Sequence, residues 1–196
     1  MAVMADALPL SKRLKAATTT THDALDERIR AGDPFRDRER FGRFLRVQYR
    51  FHRDVDALYH HPALDAVLPD LAGRRRLGLI SQDIADLGQA LPMVEDAPVF
   101  GDAPIDLPTA FGWLYVAEGS NLGAAFLFKW AAALGLDENC GARHLAGHPD
   151  GRALHWRQFT AALDALAQHS DAESRVIEGA QAAFVRVRLL VDDAFA

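Results

Sequence analysis

A chain of 196 residues, 49% hydrophobic and 25% charged, suits one domain or at most two small ones and can bury a full core. Its net charge of -5 and pI near 5.9 leave nothing basic enough to neutralise phosphates, which excludes a general nucleic-acid binder. Cys140 is the only cysteine, so there is neither an intramolecular disulfide nor a multi-cysteine metal site, as suits a reducing compartment.

The first ten residues read as a loose tail. Ser11 is placed to cap a helix from Lys12 to Arg30, stopped by Ala31-Gly32-Asp33-Pro34. No signal-like apolar run lies near Met1 and no stretch is long enough for a membrane span, so the expectation is a cytoplasmic protein without a membrane partner. On the first helix, Lys15, Thr18, His22 and Asp26 share a face, with Leu25 alongside. Asp26 is expected to hold one imidazole nitrogen of His22, directly or through water, freeing the other for a metal. Lys15, two turns away, can meet an anionic group on a ligand. The plain alternative is an Asp–His surface pair and a solvated lysine.

A second helix, Asp37 to Tyr59, carries Phe41, Phe44, Leu45, Val55 and Leu58 on a core-facing stripe. Seven arginines between Arg36 and Arg53 fall mostly on its other side, as solvated charges or as a docking patch for an acidic partner. His60-His61-Pro62 ends it. Short helices follow over Ala63–Leu71 and Arg74–Leu87, the latter closed by Gly88, and a proline-rich loop runs to Pro108.

The central helix begins at Pro108 or Thr109 and continues to Leu134, with Gly135 as its cap. Trp113, Val116, Leu122, Phe126 and Trp130 are expected to supply core bulk around it. Gly119 and Gly123 lie one turn apart on a single face, each costing about 1 kcal/mol relative to alanine. Such a stripped face serves either a close helix crossing or a flat ligand lying on the backbone. Beyond it, His144 and His148 have the i,i+4 spacing of metal ligands, though Gly147 and Pro149 argue against a helix there and no third ligand is evident. Leu154–Gln168 and Ala172–Phe195 are the last helices. With no strand alternation and no repeat, the chain reads as all-α, a single bundle of about seven or eight helices over residues 11–196. Glycine-rich phosphate loops, a nucleophile elbow and CxxC are all absent.

The string Glu118-Gly119-Ser120-Asn121-Leu122-Gly123-Ala124-Ala125-Phe126, together with a histidine in the first helix, resembles the bacterial haem oxygenases. The resemblance covers most of the chain, including Asp33-Pro34-Phe35, Gln48-Tyr49, Asp86-Leu87-Gly88, Gly141-Ala142-Arg143-His144-Leu145 and the Ala180–Phe184 region. It implies that haem b, as both cofactor and substrate, is clamped between the first helix and a glycine-bent distal helix. His22 matches the iron ligand and Asp26 its acidic partner, here shortened from the more usual glutamate. Gly119 and Gly123 match the distal glycines, and Thr18, Tyr115 and Phe184 join the haem-binding set. The resemblance further implies use of O2 and of electrons from a ferredoxin, flavodoxin or reductase. Water and backbone near Gly119, Ser120 and Gly123 would supply protons. The products would be biliverdin, carbon monoxide and ferrous iron.

Members opening the ring at the β or δ carbon have asparagine at the Lys15 position and lysines at those of Arg30 and Trp130. Lys15 and Tyr115 instead match the propionate-binding pair of α-cleaving members, so the IXα isomer is expected. That isomer would suit a bilin photoreceptor as its acceptor. A haem carrier or sensor would use the same histidine and glycine floor without degrading haem, and a helical interaction protein would use the glycines only for packing.

Overall fold

The computed structural model describes residues 8–101, 103–166 and 171–196. Among them lie seven α-helices and no strand: α1 (Leu10–Ala31), α2 (Arg38–Val55), α3 (Pro62–Asp65), α4 (Leu77–Asp86), α5 (Leu107–Ala133), α6 (Arg152–Ala165) and α7 (Ala172–Ala194). Three 3-10 turns, Asp56–His60, Ala72–Arg74 and Arg143–Leu145, join them. The all-α expectation holds. An isolated bridge between Asp137 and Cys140 closes a turn after α5.

Side-chain caps mark the starts of the two helices that carry most of the core. The Asp37 carboxylate accepts from the Arg40 amide at 2.8 Å to open α2, and Asp106 accepts from the Thr109 amide at 3.0 Å to open α5. At the far end of α5, Gly135 takes the left-handed conformation (φ 71°) that stops the helix.

Ser11 is not a cap. Helix α1 starts two residues earlier than read, after Pro9, and both the Ser11 amide (2.7 Å) and its hydroxyl (3.1 Å) donate to Asp164 on α6. Leu10 is fully buried, so the ordered core begins inside the segment expected to be tail, while residues 1–7 lie outside the described residues. Helix α2 yields to a 3-10 turn at Asp56, before Tyr59. The short helix over Ala63–Leu71 shrinks to Pro62–Asp65, and left-handed Asp70 (φ 53°) keeps the segment beyond it irregular. The expected end of α6 at Gln168 lies outside the described residues.

Helix α7 is the axis: α5, α1 and α2 all pack on it. Its crossing with α5 is backbone against backbone. A Cβ on Gly112 would stand 2.6 Å from the Ala180 nitrogen and nearer still to the Val176 oxygen. One on Gly179 would stand 2.5 Å from the Thr109 oxygen. Helices α1 and α5 pack on α7 and α6 rather than chiefly on each other. Helices α1 and α5 thus make little direct contact with each other.

Candidate functional site

Helix α5 changes character at Glu118. From Ala110 to Glu118 it is buried on nearly every side, whereas beyond it only Ala124 and Ala131 are buried, against the second apolar cluster formed by α2 and α4. Trp113 and Val116 fill the core as expected, but Leu122, Phe126 and Trp130 do not: they are 42%, 71% and 48% exposed. With Gly119 and Gly123 they form one stripe along the helix. A Cβ on Gly123 would meet nothing within 4 Å, and one on Gly119 only the Trp156 ring, at 3.8 Å. Helix packing therefore accounts for Gly112 and Gly179, not for Gly119 and Gly123. The apolar stripe with a stripped centre suits a flat apolar ligand.

Helix α1 is anchored by Leu10, Leu14, Thr18 and Leu25. Thr18 is buried because its hydroxyl donates back to the Leu14 carbonyl (2.8 Å). Burial pushes the Tyr115 phenol up, against the pull of Thr18 beside it. Lys15 stands exposed one turn before Thr18. One turn after it, His22 projects with 56% of its side chain exposed, its ring edge-on to Phe184 of α7 (centroids 6.1 Å apart).

The carboxylate at His22 is Asp23, with Oδ1 3.3 Å from Nδ1, and not Asp26. Asp26 instead lies 3.6 Å from Arg30, one turn on, because a longer cation on the same face outcompetes the imidazole for it. A proton on Nδ1 shared with Asp23 leaves the Nε2 lone pair for a metal. The Ser120 hydroxyl donates to the Ala117 carbonyl of its own helix (2.7 Å). It retains only acceptor capacity toward the cleft.

Sequence reading missed the charge network behind the glycine stripe. The Glu118 carboxylate is buried and takes Arg74 Nη1 at 2.8 Å and the Tyr59 hydroxyl at 3.2 Å. Arg74 also donates to the His155 carbonyl (3.2 Å), the Pro69 carbonyl (3.0 Å) and Gln158 (3.2 Å), so one guanidinium joins three segments to α5. Burial pushes the Glu118 carboxyl up, and Arg74 pulls against it. A lone carboxylate directly after the apolar run 110–117 was the available signal, because a charge buried there requires a partner.

His144 and His148 do not form the pair their spacing suggested. His144 is buried, its amide (2.9 Å) and Nδ1 (2.7 Å) both on Asp83. His148 lies in a loop against Asp70 and His155. The arginines of α2 are less solvated than expected. Arg38 donates to the Leu134 and Gly135 carbonyls, Arg40 to that of Gly32 and Arg53 to that of Asp96, while Arg50 pairs with Asp193 and Arg43 with Glu39.

Comparison with known proteins covers nearly the whole chain. The family described as "Heme oxygenase" matches residues 8–193. "Heme oxygenase PigA" of Pseudomonas aeruginosa is 44% identical over 186 residues, which is 95% of this chain and 93% of the relative. The NO- and CO-bound heme oxygenase structure from Neisseria meningitidis superposes with a TM-score of 0.88 at 42% identity, over 96% of this chain and 93% of the other.

Proposed function

The chain belongs to the haem oxygenase family, and from that premise we propose that it opens the haem ring to biliverdin, carbon monoxide and ferrous iron between α1 and α5. The observation that carries this reading is the open space over Gly123, set within the uncovered stripe of Leu122, Phe126 and Trp130. A planar macrocycle laid there covers apolar area worth about 25 cal/mol per Å2 and touches the helix where side chains are absent.

Bound haem supplies the iron that takes up oxygen and electrons, and the ring that is oxidised. The chain supplies position and proton traffic. His22 would hold the iron through Nε2, with Asp23 fixing the tautomer through Nδ1. Phe184 braces the imidazole edge. On the other side Gly119 and Gly123, with no side chains in the way, would let the α5 backbone lie close over the ring. No acidic side chain lies on the stripe among the described residues, and Ser120 has already spent its proton on Ala117. Protons therefore reach the cleft through solvent held by the Ser120 oxygen and neighbouring backbone, with no side chain acting as general acid. Lys15 and Tyr115 take the propionates and set the rotation of the ring, which favours the IXα isomer. Electrons come from an external ferredoxin, flavodoxin or reductase, and a bilin photoreceptor is a fitting acceptor for the product.

The test is to load the protein with haem, supply a reductase system in air with an iron chelator, and chromatograph the pigment. Loss of the Soret band with biliverdin IXα is expected. A β or δ isomer would overturn the Lys15/Tyr115 seating but keep the enzyme. Stable haem without bilin would make the protein a haem carrier.

A further inference from the structure

Asp70, His148 and His155 come from three separate parts of the chain: the turn after α3, the loop after the Arg143–Leu145 turn, and the first turn of α6. Their donor atoms all lie within 4.8 Å of one another, and they are the only such His/Cys/Asp/Glu group among the described residues. His148 Nε2 stands 3.5 Å from Asp70 Oδ2, and His155 Nε2 stands 3.6 Å from the same oxygen. The two rings are stacked with centroids 3.8 Å apart. Nothing in the haem reaction uses these residues.

We propose that Asp70, His148 and His155 form a binding site for a divalent transition-metal ion of the zinc type. Tetrahedral zinc with ligand bonds of about 2.0–2.1 Å spaces its donor atoms about 3.4 Å apart. The two measured Nε2–Oδ2 separations are close to that figure, so an ion fits with small adjustments. Two imidazoles and one carboxylate are the donor set of open zinc sites, in which water takes the fourth position. The exposed side of Asp70 leaves room for that water, while His148 and His155 are four-fifths buried or more.

The surroundings are shaped for the carboxylate. Asp70 adopts φ 53°, and its carboxyl carbon lies 2.7 Å from where a Cβ on Gly73 would stand, so a side chain at 73 would displace the carboxylate from this position. Asp150 stands ready behind His148: its amide donates to Nδ1 at 3.1 Å, and its carboxylate lies 3.7 Å from the same nitrogen. Coordination through Nε2 puts the ring proton on Nδ1, which breaks the bond from the Asp150 amide and leaves the Asp150 carboxylate to accept from Nδ1 instead. Metal-binding histidines commonly have such a carboxylate partner. An ion there joins the loop at His148 to α6 beside Trp156, the ring under Gly119. It would stiffen the wall behind the distal helix.

The test uses haem-saturated protein, so that His22 is occupied. Calorimetric titration with zinc, and the visible bands of tetrahedral cobalt, report binding and geometry; magnesium is the control for oxygen-only surface sites. The expected result is one zinc per chain, tetrahedral cobalt bands and a higher melting temperature with zinc. His148→Asn and Asp70→Asn each weaken zinc at least about 100-fold, as loss of a ligand should exceed the 10–100-fold effect of an outer partner. His148 lies in a loop and asparagine tolerates a positive φ, so both variants fold, and unchanged Soret spectra check this. No zinc binding by the wild type, or binding indifferent to both substitutions, would overturn the site.

Discussion

Arg74 and Glu118 form a buried ion pair, Nη1 to Oε2 at 2.8 Å, one residue before the first glycine of the ligand stripe. The pair fixes how α5 is rotated. With Glu118 held inward, Gly119 and Gly123, about 100° and 140° round the helix from it, are turned away from the core. Removing one partner strands the other charge, a loss of about 3–5 kcal/mol. Glu118→Gln and Arg74→Met should each lower unfolding free energy by that amount in urea. The double variant Arg74→Met with Glu118→Gln should lose markedly less than the sum, because neither charge is then left alone. Additive losses would mean that the two side chains act independently.

The two kinds of glycine in α5 should separate in experiment. Gly112→Ala drives a methyl into the α7 backbone, which cannot rotate away, and should cost about 3 kcal/mol or prevent folding. Gly123→Ala has open space and a better helix former, so it should leave stability unchanged or raise it by up to about 1 kcal/mol. Its penalty should fall on haem: weaker uptake in a Soret titration and slower turnover. Equal destabilisation by both substitutions would remove the distinction between a packing glycine and a ligand glycine.

Periodicity made most of this fold legible. The stripes of α2 and α7, the stop at Gly32 and the cap at Gly135 depend on local chemistry that a sequence displays. The site was legible where a residue was locally costly, as Gly119 and Gly123 are in a helix. Three things stayed hidden because they depend on which faces meet in space. Leu122, Phe126 and Trp130 look like core by hydropathy, and only the packing of the helices shows that nothing covers them. Asp26 has the helical spacing for His22, yet Arg30 shares its face and takes it. Arg74 reads as a surface cation in an Arg74-Arg75-Arg76 run, and only the buried Glu118, 44 residues away, gives it a role.

His22→Ala should leave the apolar slot intact and remove only the iron ligand. The variant is expected to take up haem more weakly, with an altered Soret band and little bilin formed. Added imidazole should restore the ligated spectrum and part of the turnover, since the space left by the side chain opens to solvent beside Phe184. A spectrum identical to that of the wild type would mean that another side chain binds the iron.

His52 should govern part of the acid sensitivity. Its ring is buried on α2, with Nδ1 lacking a hydrogen-bond partner, and burial, with His144 and Arg76 nearby, pushes its pKa down to about 3. The unfolded chain binds a proton at His52 near pH 6.5 and the folded chain does not until about pH 3. Stability from this group is therefore fully present above pH 6.5 and is lost as pH falls toward 3, at up to about 1.4 kcal/mol per pH unit. His144 is shifted the same way by burial, against the pull of Asp83, and adds to the slope. Between pH 7 and pH 5 the His52 share comes to about 2 kcal/mol. His52→Leu, which keeps most of the volume and cannot take a proton, should flatten the difference in urea-unfolding free energy between those two pH values by that amount. If the variant and the wild type lose stability in parallel, His52 is protonated or hydrated in the folded protein and the acid limb belongs to other groups.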